Sequence, residues 1–384
     1  MLYQCDITYL PIHLITYIYI NIYYIYNMVD ALNAPQMIEH INHSLPYTPF
    51  DVKWIPCSAK LVVTGQTPRA KGIIQIYQMN SGKLELCSEF NKEYGFKCST
   101  FGASSFASRD LAVGDFDGNL LIYDLEKGIP SYEVKKAHKS IINAMDAIGG
   151  TGNIGPAEII TAGREGSAKI WDPRTNKPVV VLEPAASEKI LPECWAVSFG
   201  NTYNSDERCV GVGYDNGDVK LYDLRMNQLK WETNLKNGIC SIEFDRKDIP
   251  MNKMVVTTLE SKIHVFDLRT LHPELGYAGL SDVAHNSTIW GSKFLPQNRD
   301  IFISMGGNGA ANLYKYNYPT QRSVTDDNNI PKGVIGTLTI LNTKDITTQP
   351  IVGFDWHPDK LGLATLVALD QSVKVYLVTR LNLY

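Results

Sequence analysis

Short apolar runs alternate with polar, turn-forming clusters along most of the chain, at the period of β-strands rather than helices. The clearest instance is IITAGREGSAKIWDPR, Ile159–Arg174. Ile159 to Gly163 is small and apolar, Arg164, Glu165 and Gly166 carry turn chemistry, and Ala168, Ile170 and Trp171 resume the alternation. The pattern predicts two antiparallel strands around a tight turn. Variants recur at Leu111–Asp124, Cys209–Arg225, Met254–Arg269, Ile301–Tyr316 and Ala364–Leu377. A looser copy spans Phe50–Tyr77, with strands expected near Asp51–Trp54, Leu61–Val63 and Ile73–Tyr77.

A strand closing in Trp-Asp behind an acidic turn is the signature half of a WD repeat. The closing aromatics are Tyr77, Tyr123, Trp171, Tyr222, Phe266, Tyr314 and Tyr376, separated by 46, 48, 51, 44, 48 and 62 residues. Similar units without a break in composition predict an all-β fold, a single seven-bladed WD40 β-propeller over residues 28–384. The longest spacing contains residues 317–333, polar and turn-rich, expected to be a surface loop insert. Closing the ring requires an outer strand that the last unit has no downstream chain to supply. Gln36–Ile41 is expected to fill that place beside Val373–Leu377, so that an N-terminal strand completes the last blade.

Residues 1–27 stand apart, with seven Tyr, seven Ile and a single charge, Asp6. A secretory signal needs a basic n-region and a small-residue cleavage site, and the first Lys or Arg is Lys53. A membrane span fits the length, but Pro11, His13, Asn21 and the many tyrosines suit a bilayer centre poorly. The favoured expectation is that translation starts at Met28 and that residues 1–27 are a non-native or disordered extension.

Composition adds mainly exclusions. The net charge of −4 gives no electrostatic footprint for nucleic acid or an anionic membrane. Seven scattered cysteines without C-x-x-C read as reduced thiols of a cytoplasmic protein. The eight histidines are dispersed, and no metal or cofactor is expected. Gly150, Gly152 and Gly155 match G-x-G-x-x-G, but Pro156 and a strand follow where a nucleotide fingerprint needs a helix.

His138, Thr161, Glu165 and Trp171, with the counterparts His285, Ser304, Asn308 and Tyr314, resemble a hydrolase constellation. The hydroxyl and acid positions fall ten and six residues before the closing aromatic. Without a cleft and an oxyanion hole, such groups serve to satisfy one another's hydrogen bonds inside a blade. Asp117 and Asp370 hold the same turn position in two further units. No catalytic centre is expected.

Function is therefore expected on loops and channel-lining positions. In WD repeats the residue before the turn acid faces the wider opening, which selects Phe116, Arg164, Asp215, Leu259, Gly307 and Leu369. A position near the start of the inner strand adds Asn143, Trp195 and Trp290, aromatic or polar types that anchor interfaces. Core packing of Trp195 and Trp290 stands as the competing expectation.

Several phrases go beyond the repeat: FDVKWIPCSAK (Phe50–Lys60), GDFDGNL (Gly114–Leu120), YDNGDVKLYDLR (Tyr214–Arg225), KWETNLKNGICSIEFDRKD (Lys230–Asp248) and FLPQNRD (Phe294–Asp300). With WDPR (Trp171–Arg174), they resemble the WD-repeat family called Monad, also described as axonemal dynein assembly factors. The resemblance runs from about Pro35 to Leu383 and leaves out the stretch before Met28. It implies a non-enzymatic, monomeric cytoplasmic scaffold working with a co-chaperone complex of RuvB-like ATPases and prefoldin-like subunits. Dynein heavy chains would be its clients, with neither nucleic acid nor membrane as partner. A role in apoptosis attached to the family has no physical handle in the residues. A competing expectation is a substrate receptor of a cullin-4 ubiquitin ligase, whose adaptor would meet Arg174, Arg225 and Arg269 at the ends of WDPR, YDLR and FDLR. Against it stands the simpler prospect that each Arg pairs with a nearby acid.

Overall fold

Turn chemistry sets the local structure. The tight turn between the second and third strands needs one residue in the left-handed region, and Gly118, Gly166, Gly217 and Gly309 occupy it with φ between 81° and 93°. Ser261 and Gln371 adopt the same conformation, at φ 67° and 63°. Each turn joins strands whose apolar residues face both ways, so the resulting sheets must be covered on both sides.

A computed structural model describes residues 34–150, 155–184, 191–204 and 206–384. The extension expected at residues 1–27 lies outside the described residues, as does Gly152. The chain forms seven four-stranded antiparallel sheets. Each inner strand touches the next around a ring, from Thr48–Trp54 through Phe96–Thr100, Ile142–Ile148, Cys194–Gly200, Ile239–Phe244 and Ile289–Leu295 to Ile351–Trp356, which returns to the first. This is a seven-bladed β-propeller, as expected. Blade one gains a fourth strand, Lys83–Lys92, which the apolar pattern had left unassigned because its outward face is charged.

The closing strand is also as expected. Met37–Ser44 pairs antiparallel with Ser372–Val378 in blade seven. A register shift between Glu39 and Ile41 turns this strand over midway. Met37 therefore packs into the core shared with blade six, and Ile41 into the core shared with blade one. A single strand seals both seams.

The insert carries a two-stranded hairpin, Ser323–Thr325 with Pro331–Gly333, lying against blade five. Arg322 holds it through a forked contact to Asp267 at 2.5 and 3.0 Å, and Asp326 reaches His272 at 3.2 Å. Among the described residues the one helical segment is a 3-10 turn at Leu381–Leu383, and no helix is long and apolar enough to cross a membrane.

Candidate functional site at the channel mouth

The hydrolase-like residues come together inside blades. His138 is fully buried, 2.6 Å from Glu165 Oε1 and 2.7 Å from Thr161 Oγ1, and Trp171 Nε1 donates to the same hydroxyl oxygen at 2.8 Å. Burial pushes the His138 pKa down, with Glu165 opposing. Burial would raise the Glu165 carboxyl, but His138 and the Ser167 hydroxyl pull it to about 2. Gly163 is required beside this network, because a Cβ there would stand 2.1 Å from His138 Nδ1. In blade six His285 meets Ser304 at 2.7 Å and faces Asn308 instead of a carboxylate, and burial drives its pKa to about 4. Tyr314 takes the place of the tryptophan and hydrogen-bonds with the Asn312 amide at 3.3 Å. His138, Thr161 and Trp171, and likewise His285 and Ser304, bond to one another inside their blades.

Blades two and seven differ. Asp117 pairs with Lys136 at 2.5 Å, while Asp115, two residues earlier, takes the turn amides of Asp117 and Asn119 at 2.9 and 2.7 Å. At the position of His138 this blade has Lys92, its ammonium 5.1 Å from the centre of the Tyr123 ring. Asp370 braces its own turn, accepting from Ser372 Oγ at 2.5 Å and from Thr347 Oγ1 at 2.6 Å.

The channel mouth is built by a backbone feature shared by all blades. Every inner strand has one register shift near its start, and the extra residue is Phe50, Lys97, Asn143, Trp195, Cys240, Trp290 or Val352. These seven residues, one per blade, line a single cavity of about 390 Å³ at one end of the channel. A bulge turns its extra side chain out of the ladder, which aims it at the axis. The residues of the turn set sit beside the ring. The amides of Phe116, Arg164, Asp215, Leu259, Gly307 and Leu369 each donate to the backbone carbonyl two residues before the bulge of the same blade. Both groups of candidates thus share one end.

Side-chain contacts fix much of this rim. Phe50 and Phe116 meet edge to face at 5.2 Å. Asn143 Nδ2 donates to the Cys194 carbonyl of the next blade at 2.9 Å. Trp195 Nε1 donates to Glu193 at 3.0 Å, whose other oxygen takes Arg164 Nε at 2.8 Å. Asp215 accepts the Glu193 amide at 2.9 Å. Trp195 and Leu259 close over Gly238, where a Cβ would lie 3.1 Å from the indole. Trp290 is 44% exposed and Leu369 37% exposed, so neither is a core residue.

Three residues further along each inner strand lies a second ring: Lys53, Thr100, Asp146, Ser198, Glu243, Lys293 and Asp355. Here charges pair or latch blades together. Lys293 reaches Glu243 at 2.7 Å, Lys247 pairs with Asp146, and Asp355 accepts the Trp54 amide of blade one at 2.8 Å. Burial raises the Asp355 pKa to about 6.

Phe50, Lys97, Cys240 and Val352 were not among the sequence candidates. The signal that would have found them is the residue following the first apolar position of each inner strand. It was obscured because the seven side chains share no chemistry.

The arginines lie elsewhere. Arg174 and Arg225 follow the third strands of their blades and Arg269 lies in the register shift near the end of its own, so all three sit on the face opposite the turns. Arg174 forks onto its own Asp172 at 2.5 to 3.0 Å, and Arg225 reaches Asp206 only at 3.9 Å. Arg269 gives its backbone amide to Asp267 at 3.0 Å.

Among the described residues no cluster of three or more His, Cys, Asp or Glu side chains could hold a metal ion. No protein-family model matches the chain. The sequence is 52% identical over 357 residues to human dynein axonemal assembly factor 10, covering 92% of this chain and 99% of the human one. The protein of the same name from Danio rerio is 52% identical over 358 residues, with the same shares covered. That of Chlamydomonas reinhardtii is 48% identical over 357 residues, again covering 92% and 99%.

Proposed function

The chain belongs to the dynein axonemal assembly factor 10 family, and from that membership we propose that it is a non-enzymatic scaffold in the assembly of axonemal dyneins. Its partners on this reading are proteins: dynein heavy chains as clients, and a co-chaperone complex of RuvB-like ATPases with prefoldin-like subunits. It acts in the cytoplasm, before the motors enter the cilium. The observation that carries the reading is the ring of bulged residues, which gathers Phe50, Trp195 and an exposed Trp290 at one channel mouth. Large aromatics on a rigid rim lose little conformational entropy on docking and are the usual anchors of protein interfaces. The opposite face, with its arginines, leaves room for a second partner.

Affinity capture from ciliated cells tests this. Trp290→Ala is expected to reduce recovery of dynein heavy chain or of the co-chaperone subunits by at least about tenfold, as for loss of a central aromatic anchor. The thermal melt should stay within a degree or two of wild type, as for an exposed side chain. Undiminished recovery would overturn the reading. The ubiquitin-ligase alternative has less support, because the best of its three arginines, Arg174, is already held by Asp172. Adaptor pull-down that disappears on Arg174→Ala would revive it.

A further inference from the structure

The channel mouth holds one cation that, among the described residues, makes no ion pair. Lys53, Lys97 and Lys293 line this end against the carboxylates of Asp51 and Asp146. Lys53 pairs with Asp51 at 2.5 Å, and Lys293 pairs with Glu243 at 2.7 Å. Asp146 is taken by Lys247 and by the Phe199 amide. Asp51 is also spent: besides Lys53 it accepts the Val52 amide at 2.9 Å and both the amide and the hydroxyl of Ser99, at 2.8 and 2.9 Å. Among the described residues Lys97 has no ion pair. Its ammonium lies 5.1 Å from the centre of the Phe50 ring, a face that orients the cation without neutralising it.

Burial lowers the Lys97 pKa, so holding the charge there has a cost that an incoming anion would offset. The mouth cavity as a whole is lined by three lysines against two aspartates, a balance that favours an anion there. Phe50, packed on Phe116, flanks Lys97, and Trp195 and the exposed Trp290 stand on the same rim further around the ring.

We propose that the mouth binds an extended client peptide through one acidic side chain, whose carboxylate meets Lys97 Nζ while flanking apolar residues lie on Phe50, Trp195 and Trp290. This rests on the reading of the mouth as a docking end and specifies what that end selects. Charge-assisted hydrogen bonds of this kind are short, strong and directional.

The test is selection of a random twelve-residue peptide library by the full-length protein, in two formats, one with the C-terminus fused and one with it free. Wild type should enrich Asp or Glu at one position between apolar residues in both formats. Lys97→Met keeps the stem over Phe50 and should abolish the acidic preference. It should also weaken a selected peptide about tenfold by fluorescence anisotropy, as for loss of a charge-assisted contact. Lys97→Glu should shift the preference to Lys or Arg. Acidic enrichment that survives in Lys97→Met overturns the proposal. So does enrichment confined to free C-termini, which would assign the site to a terminal carboxylate. Peptide binding lost with Trp290→Ala but unaffected by Lys97→Met would leave the mouth as docking end and remove the acidic anchor alone.

Discussion

Blades three and seven solve the same problem by opposite means. Blade three is made of consecutive strands, and its stiffness comes from a buried network, His138 between Glu165 and Thr161 with Trp171 on the hydroxyl. Blade seven has Thr347 at the position of that histidine, and Thr347, Asp370 and Ser372 only brace its turn. Its integrity depends on Met37–Ser44, brought from more than three hundred residues away, with Glu39 taking Tyr376 Oη at 3.0 Å and Lys374 Nζ at 3.3 Å. Blade three draws all four strands from one continuous segment. Blade seven must wait for both ends of the chain, and loop closure makes that step costly and late. Local hydrogen bonding stiffens one sector, and a long-range clasp holds the whole ring.

The sharpest way to break this contrast is to remove the clasp. Deleting residues 36–44 exposes the seams that Met37 and Ile41 cover, at about 3–6 kcal/mol for the two side chains alone. The urea midpoint should fall more than for any single substitution in blade three. An unchanged midpoint would mean that blade seven is stable with three strands.

Next in size is His138→Ala, expected to cost about 2–4 kcal/mol, because it strands the partly buried Glu165 carboxylate and leaves the Thr161 hydroxyl short of a partner. His285→Ala faces only Ser304 and Asn308 and should cost about 1–2 kcal/mol. Equal losses in urea unfolding would show that the carboxylate adds nothing.

The histidines also differ in pH response. The His285 pKa falls from an ordinary 6.5 to about 4 on folding, so the unfolded chain binds the extra proton between those values. The stability linked to it is complete above pH 6.5 and drains away as pH falls towards 4. Glu165, lowered from 4.5 to about 2, contributes stability that is lost only below pH 4.5. Asp355 runs the other way: raised from 3.8 to about 6, it favours the folded state at low pH and loses that contribution as pH rises through 6. Urea midpoints between pH 7 and 4 should therefore decline more steeply in Asp355→Asn than in wild type, and less steeply in His285→Gln. Parallel curves would refute both assignments.

The smallest expected effect is Tyr376→Phe, which removes one hydrogen bond to Glu39 and should cost about 0.5–1.5 kcal/mol. If it approached the deletion in size, the clasp would depend on that polar contact more than on the seams.

Much of this was legible beforehand. The alternation around Ile159–Arg174, the closing aromatics and the place of Gln36–Ile41 beside Val373–Leu377 all follow from local period and from one unfilled edge. Trp290 and Asn143 were recognisable as mouth residues by type and position, whereas Lys97, Phe50, Cys240 and Val352 were not. The turn position points to Asp117, but Asp115 holds that turn, since a carboxylate at the position of Gly163 reaches the amides of Asp117 and Asn119. The hairpin at Ser323–Thr325 gave no apolar signal, because its strands are short and its anchors, Arg322 and Asp326, are polar.

Strand period, turn residues and the number of blades are properties of neighbouring residues, and a reading of short windows captures them because backbone sterics and side-chain alternation act over a few positions. The mouth is another matter. Which side chain turns inward depends on a bulge set when each inner strand pairs with its neighbour, and a shift of one residue reverses the faces. That Lys97 makes no ion pair among the described residues depends on Asp51 having committed both oxygens to Ser99, Val52 and Lys53, an arrangement that exists only once blades one and two are packed together.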